Sequence, residues 1–135
     1  MTKKEVNLIS YMIVGCAIEV HKNLGPGLLE SVYHQCFERE LTLRNIKYKS
    51  QVKVHVVYKG VDVGGYLVLD MLVEDTVVVE LKAVDELNRV HKAQLLSYLK
   101  LANKPKGLLI NFNCENVTKN LIPLVTETFN QLQEE

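Results

Sequence analysis

The 135-residue sequence lacks a net charge, because sixteen basic and sixteen acidic residues cancel at pH 7. Nonspecific coating of nucleic acid scales with the number of phosphates that a protein neutralises, so this balance argues against that class of binding protein. It leaves room for a local basic patch. Hydrophobic residues make up 47% and charged residues 24% of the chain, which is typical of a globular protein. The length predicts a single domain over residues 1–135.

Cysteine is also scarce. Cys16, Cys36 and Cys114 are odd in number and show neither a CxxC motif nor Cys/His ligand spacing. The sequence therefore predicts no disulfide framework and no zinc site, and we expect each cysteine to pack as a small buried thiol.

The N-terminal stretch "MTKKEVNLISYMIVGC" loosely imitates a bacterial lipoprotein signal. Its apolar positions, however, continue at helical spacing past the point where such a signal would be cut. This pattern indicates a core-facing helix, a cytoplasmic protein and no membrane association. The stripe consists of Val6, Ile9, Ile13, Cys16, Ala17, Val20 and Leu24.

The hydrophobic period changes along the chain and predicts an α/β fold with a mixed central sheet flanked by helices. Antiparallel pairs would come from hairpins, and a parallel pair from a crossover through a helix. Lys59-Gly60 predicts a turn and Gly64-Gly65 a bulge or bend. The predicted elements are helices over about 4–23 and 28–44, strands between 46 and 84, a helix over 88–102, a strand over 107–113 and a final amphipathic helix over 121–133.

Charged residues interrupt an otherwise apolar hairpin, "DMLVEDTVVVELK", in which Asp70, Glu80 and Lys82 lie inside the strands. Opposed residues of an antiparallel pair have numbers that add to a constant, and they point to the same face. If Val73 faces Val77 across a three-residue loop, Asp70 lies opposite Glu80. Lys82 then projects to that face about 7 Å further along the strand. A two-residue loop would instead put the two carboxylates on opposite faces.

Two opposed carboxylates repel each other, which destabilises a sheet unless something compensates. A divalent cation between Asp70 and Glu80 would do so, and such oxygen ligands suit Mg²⁺ or Mn²⁺. Lys82 would then stabilise charge on a reacting phosphoryl group or orient an attacking water. The alternative is an ordinary Glu80–Lys82 ion pair on an exposed sheet face, and the spacing alone favours that alternative.

Two helices offer further polar groups. Glu30 falls on the apolar side of the second helix, where an unpaired carboxylate would be costly. It is either an additional metal ligand or a glutamate favoured by the dipole at a helix N-terminus. Gln94 shares one face of a later helix with His91 and Tyr98, and this trio either faces solvent or lies over the site.

Five blocks of the sequence, in order between about residues 10 and 113, resemble a known family. "GLLESVY" matches the GxxExxY signature of a group of small bacterial and archaeal proteins. That family is placed in the PD-(D/E)XK nuclease superfamily, so the resemblance implies a restriction-endonuclease-like αβββαβ core with metal ligands on a central hairpin. The blocks are "HKNLGPGLLESVY", "VYKG", "DMLVEDTVVVELKAV", "VHKAQLLSYLKL" and "GLLINFN".

The resemblance also implies roles for individual residues. Asp70 would be the motif aspartate, Glu80 and Lys82 the E-x-K pair, Glu30 the first-helix acid and Gln94 the helix glutamine near the site. The implied Mg²⁺ or Mn²⁺ ligands are Asp70, Glu80, the Leu81 carbonyl and Glu30. The implied catalytic residues are Lys82, Glu80, Asp70 and Gln94.

The leading hypothesis is therefore a Mg²⁺-dependent nuclease-type phosphodiesterase that acts on nucleic acid. The alternative is a non-catalytic or regulatory binding domain of the same fold that retains the acidic site, because a fold does not dictate an activity. Two departures from the family remove positive charge: Val68 stands where an arginine is common, and the tail lacks a basic ending. We also expect a homodimer, because enzymes that cut two strands often pair.

Overall fold

The computed structural model describes residues 1–135 as a five-stranded sheet between helices. The strands lie in the order β1-β2-β3-β4-β5, and all neighbours are antiparallel except β3 and β4. The predicted mixed α/β fold and the parallel crossover are both confirmed. The elements are α1 (Lys3–Leu24), α2 (Glu30–Leu43), β1 (Tyr48–Tyr58), β2 (Val61–Val73), β3 (Val77–Lys82), α3 (Arg89–Ala102), β4 (Lys106–Asn111), a 3-10 turn (Val117–Asn120), β5 (Leu121–Val125) and α4 (Glu127–Asn130).

The first helix is the core-facing helix that the apolar spacing predicts. Thr2 caps its N-terminus by accepting a hydrogen bond from the Glu5 N–H, which satisfies one of the free amides of the first turn. Its predicted stripe is buried, except that Leu24 is only partly covered. No helix in the structure, α1 included, is both long enough and apolar enough to cross a membrane.

Two hydrophobic cores lie on opposite faces of the sheet. The helix-pair core joins α1 and α2 to residues such as Met71 and Val79, and the α3 core joins α3 to residues such as Leu72 and Val78. Neighbouring side chains of a strand point to opposite faces, so β2 and β3 contribute to both cores. Because both faces are covered, these strands read as nearly continuous apolar runs.

The predicted final helix over 121–133 is wrong in its first half. Leu121–Val125 forms β5, which pairs antiparallel with β4, and only Glu127–Asn130 is helical. Pro123 explains the difference, because proline has no amide hydrogen for a helix interior but is tolerated in a strand at a sheet edge. Pairing with β4 therefore outweighs the amphipathic pattern.

The three cysteines are unpaired. Cys16 is fully buried in the helix-pair core, and burial raises the pKa of its thiol to about 11. Cys36 and Cys114 are only partly buried, so the expectation of three buried thiols holds for one of them.

The hairpin between β2 and β3 has the predicted register. Val73 pairs with Val77 across a three-residue loop. Glu74 and Asp75 both adopt positive φ, of 51° and 53°, and the Thr76 N–H donates to the Val73 carbonyl at 3.0 Å. The loop thus turns tightly without the glycine that such backbone angles usually require.

The longer hairpin between β1 and β2 contains the predicted turn and bulge. The turn residues Lys59 and Gly60 have φ values of 49° and 82°. The register then shifts between His55 and Val57, opposite a segment in which Gly64 has φ 86°. The extra residues on β2 leave the ladder there, as in a β-bulge.

Candidate active site

The site begins where the β2–β3 ladder stops. Regular pairing extends only to Met71 and Val79. Beyond that point backbone amides donate to side-chain carboxylates instead of to the opposite strand's carbonyls. The Asp70 N–H donates to Glu80 Oε1 at 3.2 Å, and the Leu81 N–H donates to Asp70 Oδ2 at 3.0 Å. The predicted juxtaposition of Asp70 and Glu80 therefore forms, with each carboxylate held by the opposite strand.

An irregularity in β1 accompanies this break. By the register of the ladder, Gln51 faces Asp70, yet Gln51 is left out of the pairing and has φ 53°. Residues three apart in a regular strand point to opposite faces, yet Leu69 and Leu72 of β2 both pack in the α3 core. The side chains of β2 therefore change face between these two residues. The Asp70 amide thus leaves the β1 ladder and becomes available to Glu80. Positive φ at a glutamine costs about 1–3 kcal/mol and is concentrated at functional sites.

Glu80 is the buried member of the pair, with only 6% of its surface exposed. Burial, followed by the charge of Asp70, raises the pKa of Glu80 to about 8. Tyr98 of α3 lies on the same side, since burial and then the charges of Glu80 and Asp70 raise the pKa of its hydroxyl. Burial and the neighbouring charge therefore favour the protonated form of Glu80 in the metal-free protein, and a cation would compete with that proton.

The GxxExxY motif places Glu30 on the groove that Asp70 also lines. Gly27 has φ 96° in the loop before α2, a conformation that glycine adopts at little cost. Tyr33 is fully buried; its hydroxyl donates to the Gly25 carbonyl at 2.6 Å and accepts from the Leu28 N–H at 3.2 Å. Tyr33 thereby fixes the loop that precedes Glu30, the first residue of α2.

Glu30 itself is exposed, so its expected burial on the apolar side of α2 is wrong. The physical reason is that α2 begins at Glu30, where the helix end projects beyond the core. Partial desolvation of the carboxyl, followed by the charge of Asp70, nevertheless raises its pKa. Glu30 and Asp70 face the same open groove of about 480 Å³, which has no hydrophobic lining. The groove is lined by Glu30, Ser31, His34, Gln35, Glu38, Ser50, Gln51 and Asp70.

Lys82 closes the end of β3 and is partly buried. It forms no ion pair with Glu80 or Asp70, so the surface ion pair considered from the sequence is absent. Its charge still acts on the site, because it lowers the pKa of Glu80 and Glu30 against the larger effects of burial and Asp70. An ammonium group close to the carboxylates but not paired with them is available to a substrate.

The Leu81 carbonyl is directed toward the carboxylates. The Lys82 carbonyl accepts a hydrogen bond from the Phe112 N–H at 2.9 Å. Successive residues of a strand direct their peptide groups to opposite sides, so the peptide groups of Leu81 point toward β2. The hydrogen bond from the Leu81 N–H to Asp70 agrees with this orientation.

The loop after Lys82 is held by a buried amide that the sequence did not single out. Asn111 is fully buried; its Oδ1 accepts from the Val84 N–H at 3.0 Å and its Nδ2 donates to the Val84 carbonyl at 2.9 Å. Its place at the end of a buried apolar strand was the available signal, because a buried amide needs partners. Asn111 thus anchors the chain just after Lys82.

The trio on α3 separates into three roles. His91 completes a capping box: its Nδ1 accepts from the Asn88 N–H, and its own N–H donates to the Asn88 side chain. Tyr98 approaches the carboxylates, as described above. Gln94, one turn before Tyr98, is exposed and makes no hydrogen bond to either carboxylate.

The donor set fits a hard divalent cation. Glu80 and Asp70 are two close carboxylates, Glu80 is buried, and the Leu81 carbonyl points toward β2, the strand that carries Asp70. No group of three or more His, Cys, Asp or Glu side chains is assembled into a ready metal site. Water and substrate oxygens would have to complete the coordination, which is common for Mg²⁺.

A family model described as the PD-(D/E)XK nuclease superfamily matches residues 7–122 of the chain. The match covers most of the sequence, and the protein therefore belongs to the PD-(D/E)XK nuclease superfamily. No curated protein and no solved structure matches the chain. The superfamily predicted from the sequence is thus confirmed, and the five-stranded mixed sheet is consistent with its restriction-endonuclease-like fold.

Proposed function

We propose that the protein is a Mg²⁺-dependent or Mn²⁺-dependent phosphodiesterase of nuclease type that acts on nucleic acid. The observation that carries this proposal is the carboxylate pair at the broken ladder. Asp70 and Glu80 each use a backbone donor of the opposite strand for positioning, and Glu80 is buried next to a like charge. Ionising both carboxylates creates repulsion here, which a bound cation would offset.

The residue roles follow from their places in the site. Asp70, Glu80 and the Leu81 carbonyl would hold the ion, and Glu30 would assist through a bound water. The ion, when bound, supplies Lewis-acid stabilisation of negative charge on the phosphoryl and leaving oxygens. Lys82 orients the attacking water and stabilises charge that develops on the phosphoryl group.

Gln94 and Tyr98 lie on α3, which packs on the face of the sheet opposite α1 and α2. We assign Gln94 the role of positioning substrate or water on the family resemblance, which its exposed place one turn before Tyr98 permits. Tyr98 limits access of solvent to Glu80, whose pKa depends on burial.

The second candidate is a non-catalytic binding domain of the same fold. It is favoured by the absence of a preassembled third metal ligand and by the acidic groove between Glu30 and Asp70. The two candidates differ in turnover, since both retain ion binding.

Calorimetry with MgCl₂ and MnCl₂ tests the ion site directly. We expect wild type to bind either ion and Glu80→Ala to lose binding, while Glu115→Ala, which removes an exposed glutamate elsewhere, leaves it unchanged. Absence of ion binding by wild type, or equal binding by Glu80→Ala, would refute the proposal.

Cleavage assays separate the two candidates. Wild type is offered single-stranded, double-stranded and branched DNA and RNA in Mg²⁺ and in EDTA, with Lys82→Ala in parallel. Metal-dependent cleavage that Lys82→Ala lacks supports the enzyme. Ion binding without cleavage of any substrate supports the binding domain.

Four broader assignments accompany this proposal. We propose that residues 1–135 form one domain of the GxxExxY group, because the Gly27 turn, Glu30 and the Tyr33 anchor act as one unit. We place the protein in the cytoplasm, where free cysteines are kept reduced. We place it in a prokaryote on the family resemblance, and we propose a homodimer that would bring two cutting sites to one substrate. Sedimentation velocity tests the dimer.

A further inference from the structure

The outer part of the β1–β2 hairpin differs from the rest of the molecule in having uncovered apolar side chains. We call Lys53–Val68, the part beyond Gln51, the hairpin arm. Val54 and Leu67 of the arm pack against the α3 core, but its outer residues belong to neither hydrophobic core. Five large hydrophobic residues there are more than half exposed: Val57, Tyr58, Val61, Val63 and Tyr66.

Each exposed tyrosine of the arm has a lysine over its ring. Lys53 Nζ lies 4.9 Å from the centre of the Tyr66 ring, and Lys59 Nζ lies 5.5 Å from the centre of the Tyr58 ring. Such a pair presents an aromatic surface and a cation side by side. A nucleotide offers the matching groups, since a base stacks on a ring and a phosphate attracts an ammonium.

The charge of this region complements nucleic acid although the whole chain is neutral. The hairpin arm contains two lysines, Lys53 and Lys59, and one acidic residue, Asp62, and the β1 segment that leads into it adds Lys47 and Lys49. Lysines on an edge strand also prevent pairing with another sheet. That role accounts for the lysines on β1 but not for two exposed tyrosines beside them.

The arm is continuous with the carboxylate site. Tyr66 and Asp70 lie on the same strand, four residues or about 13 Å apart. Between Tyr66 and Leu69, β2 pairs with β1 in regular register, and the side chains change face only at Asp70. A polynucleotide strand bound along the arm would therefore reach Asp70 and Glu80.

We propose that the hairpin arm binds single-stranded nucleic acid, with Tyr66 and Tyr58 stacking on unpaired bases and Lys53 and Lys59 contacting phosphates. A single strand is favoured over a duplex because stacking on exposed rings needs unpaired bases. The inference rests on the proposed function in taking nucleic acid as substrate. The arm, however, needs no metal ion to bind.

The test is fluorescence anisotropy of a labelled oligo(dT) strand, in EDTA so that no cleavage occurs. We expect Tyr66→Ala to weaken binding about tenfold, and Tyr66→Phe to retain it, because stacking uses the ring. Lys53→Ala should weaken binding and reduce the salt dependence of the logarithm of the binding constant by about 0.7, the value for one phosphate contact on a single strand. Tyr11→Ala and Lys22→Ala, exposed residues of α1, are the matched controls.

Three results would overturn the proposal. The first is equal binding by Tyr66→Ala and Tyr11→Ala. The second is equal affinity for a duplex of the same length. The third is a change in oligomeric state of Tyr66→Ala on sedimentation with unchanged oligo(dT) binding, which would make the arm an interface between two copies.

The same measurements distinguish this inference from the proposed function. If arm variants lose oligo(dT) binding but wild type cleaves nothing, the arm assignment stands and the enzyme assignment fails. If wild type cleaves nucleic acid but arm variants bind and cleave normally, only the arm assignment fails.

Discussion

The two ends of the β1–β2 hairpin contrast in burial and charge. The inner end holds Asp70 beside the buried Glu80, under α2 and α3, whereas the outer end is an exposed arm with lysines and tyrosines. A neutral composition therefore conceals two surfaces of opposite character. In our proposal the two ends of one hairpin have different roles: the inner end binds the metal ion and takes part in catalysis, and the outer end binds the substrate.

The largest effect should come from the inner end. We expect Lys82→Ala to reduce kcat/KM for nucleic acid cleavage by about 10²–10³-fold, the loss typical of removing one group that stabilises transition-state charge. Oligo(dT) binding in EDTA should change less, because Lys82 lies on β3, outside the hairpin arm. A variant that cleaves at the wild-type rate would show that Lys82 takes no part in catalysis.

The stability of the protein should depend on pH through Glu80, at the inner end of the hairpin. Since the folded-state pKa of Glu80 is raised from 4.5 to about 8, the folded protein binds more protons than the unfolded chain between these values. Stability in EDTA should therefore fall as pH rises from about 4.5 to about 8, by up to about 1.4 kcal/mol per pH unit. Urea unfolding at several pH values measures this slope.

Glu80→Gln should flatten that slope, and Mg²⁺ should offset the loss of stability near pH 8. Ion binding should release a proton, so the affinity for Mg²⁺ should rise as pH approaches 8. A slope that persists in Glu80→Gln would assign the titration to another group.

The backbone at Gln51 should respond to side-chain shape. We expect Gln51→Ile to lose about 1–2 kcal/mol of stability, because a β-branched residue tolerates positive φ poorly. Gln51→Gly should be at least as stable as wild type. Urea unfolding of both variants, compared with the same changes at Lys49, checks this; equal costs for glycine and isoleucine at position 51 would contradict a left-handed backbone there.

The smallest effect concerns the repulsion itself. We expect Asp70→Asn to raise stability in metal-free buffer above pH 8, where Glu80 is also charged, by about 1 kcal/mol, because it removes a like charge while its side-chain oxygen still accepts from Leu81. The same variant should lose Mg²⁺ binding. A clear loss of stability would instead show that the Asp70 charge stabilises the fold.

Several features of the site were predictable from local patterns. The register of the β2–β3 hairpin followed from residue numbers, and the pairing of Val73 with Val77 confirms it. The helical stripe of α1 and the Lys59-Gly60 turn followed from spacing and turn chemistry. These features depend on neighbours in sequence, so the sequence displays them directly.

Other features escaped prediction because distant segments create them. The strand at Leu121–Val125 forms because β4 offers an edge to pair with, which no local pattern reports. The role of Tyr33 depends on Gly25 and Leu28 across a loop, and that of Asn111 on Val84. The backbone of Gln51 has positive φ, but the sequence gives no sign of it because the residue is not glycine.

The sequence by itself thus determined which residues line the strands, which carboxylates oppose each other and to which superfamily the chain belongs. Only the tertiary structure decided that Glu80 is buried with a raised pKa, that Lys82 forms no ion pair and that Glu30 lies on an open groove. Spacing specifies which groups are neighbours along a strand. Burial and charge depend on what other elements pack above them, and the pKa of a carboxylate depends on both.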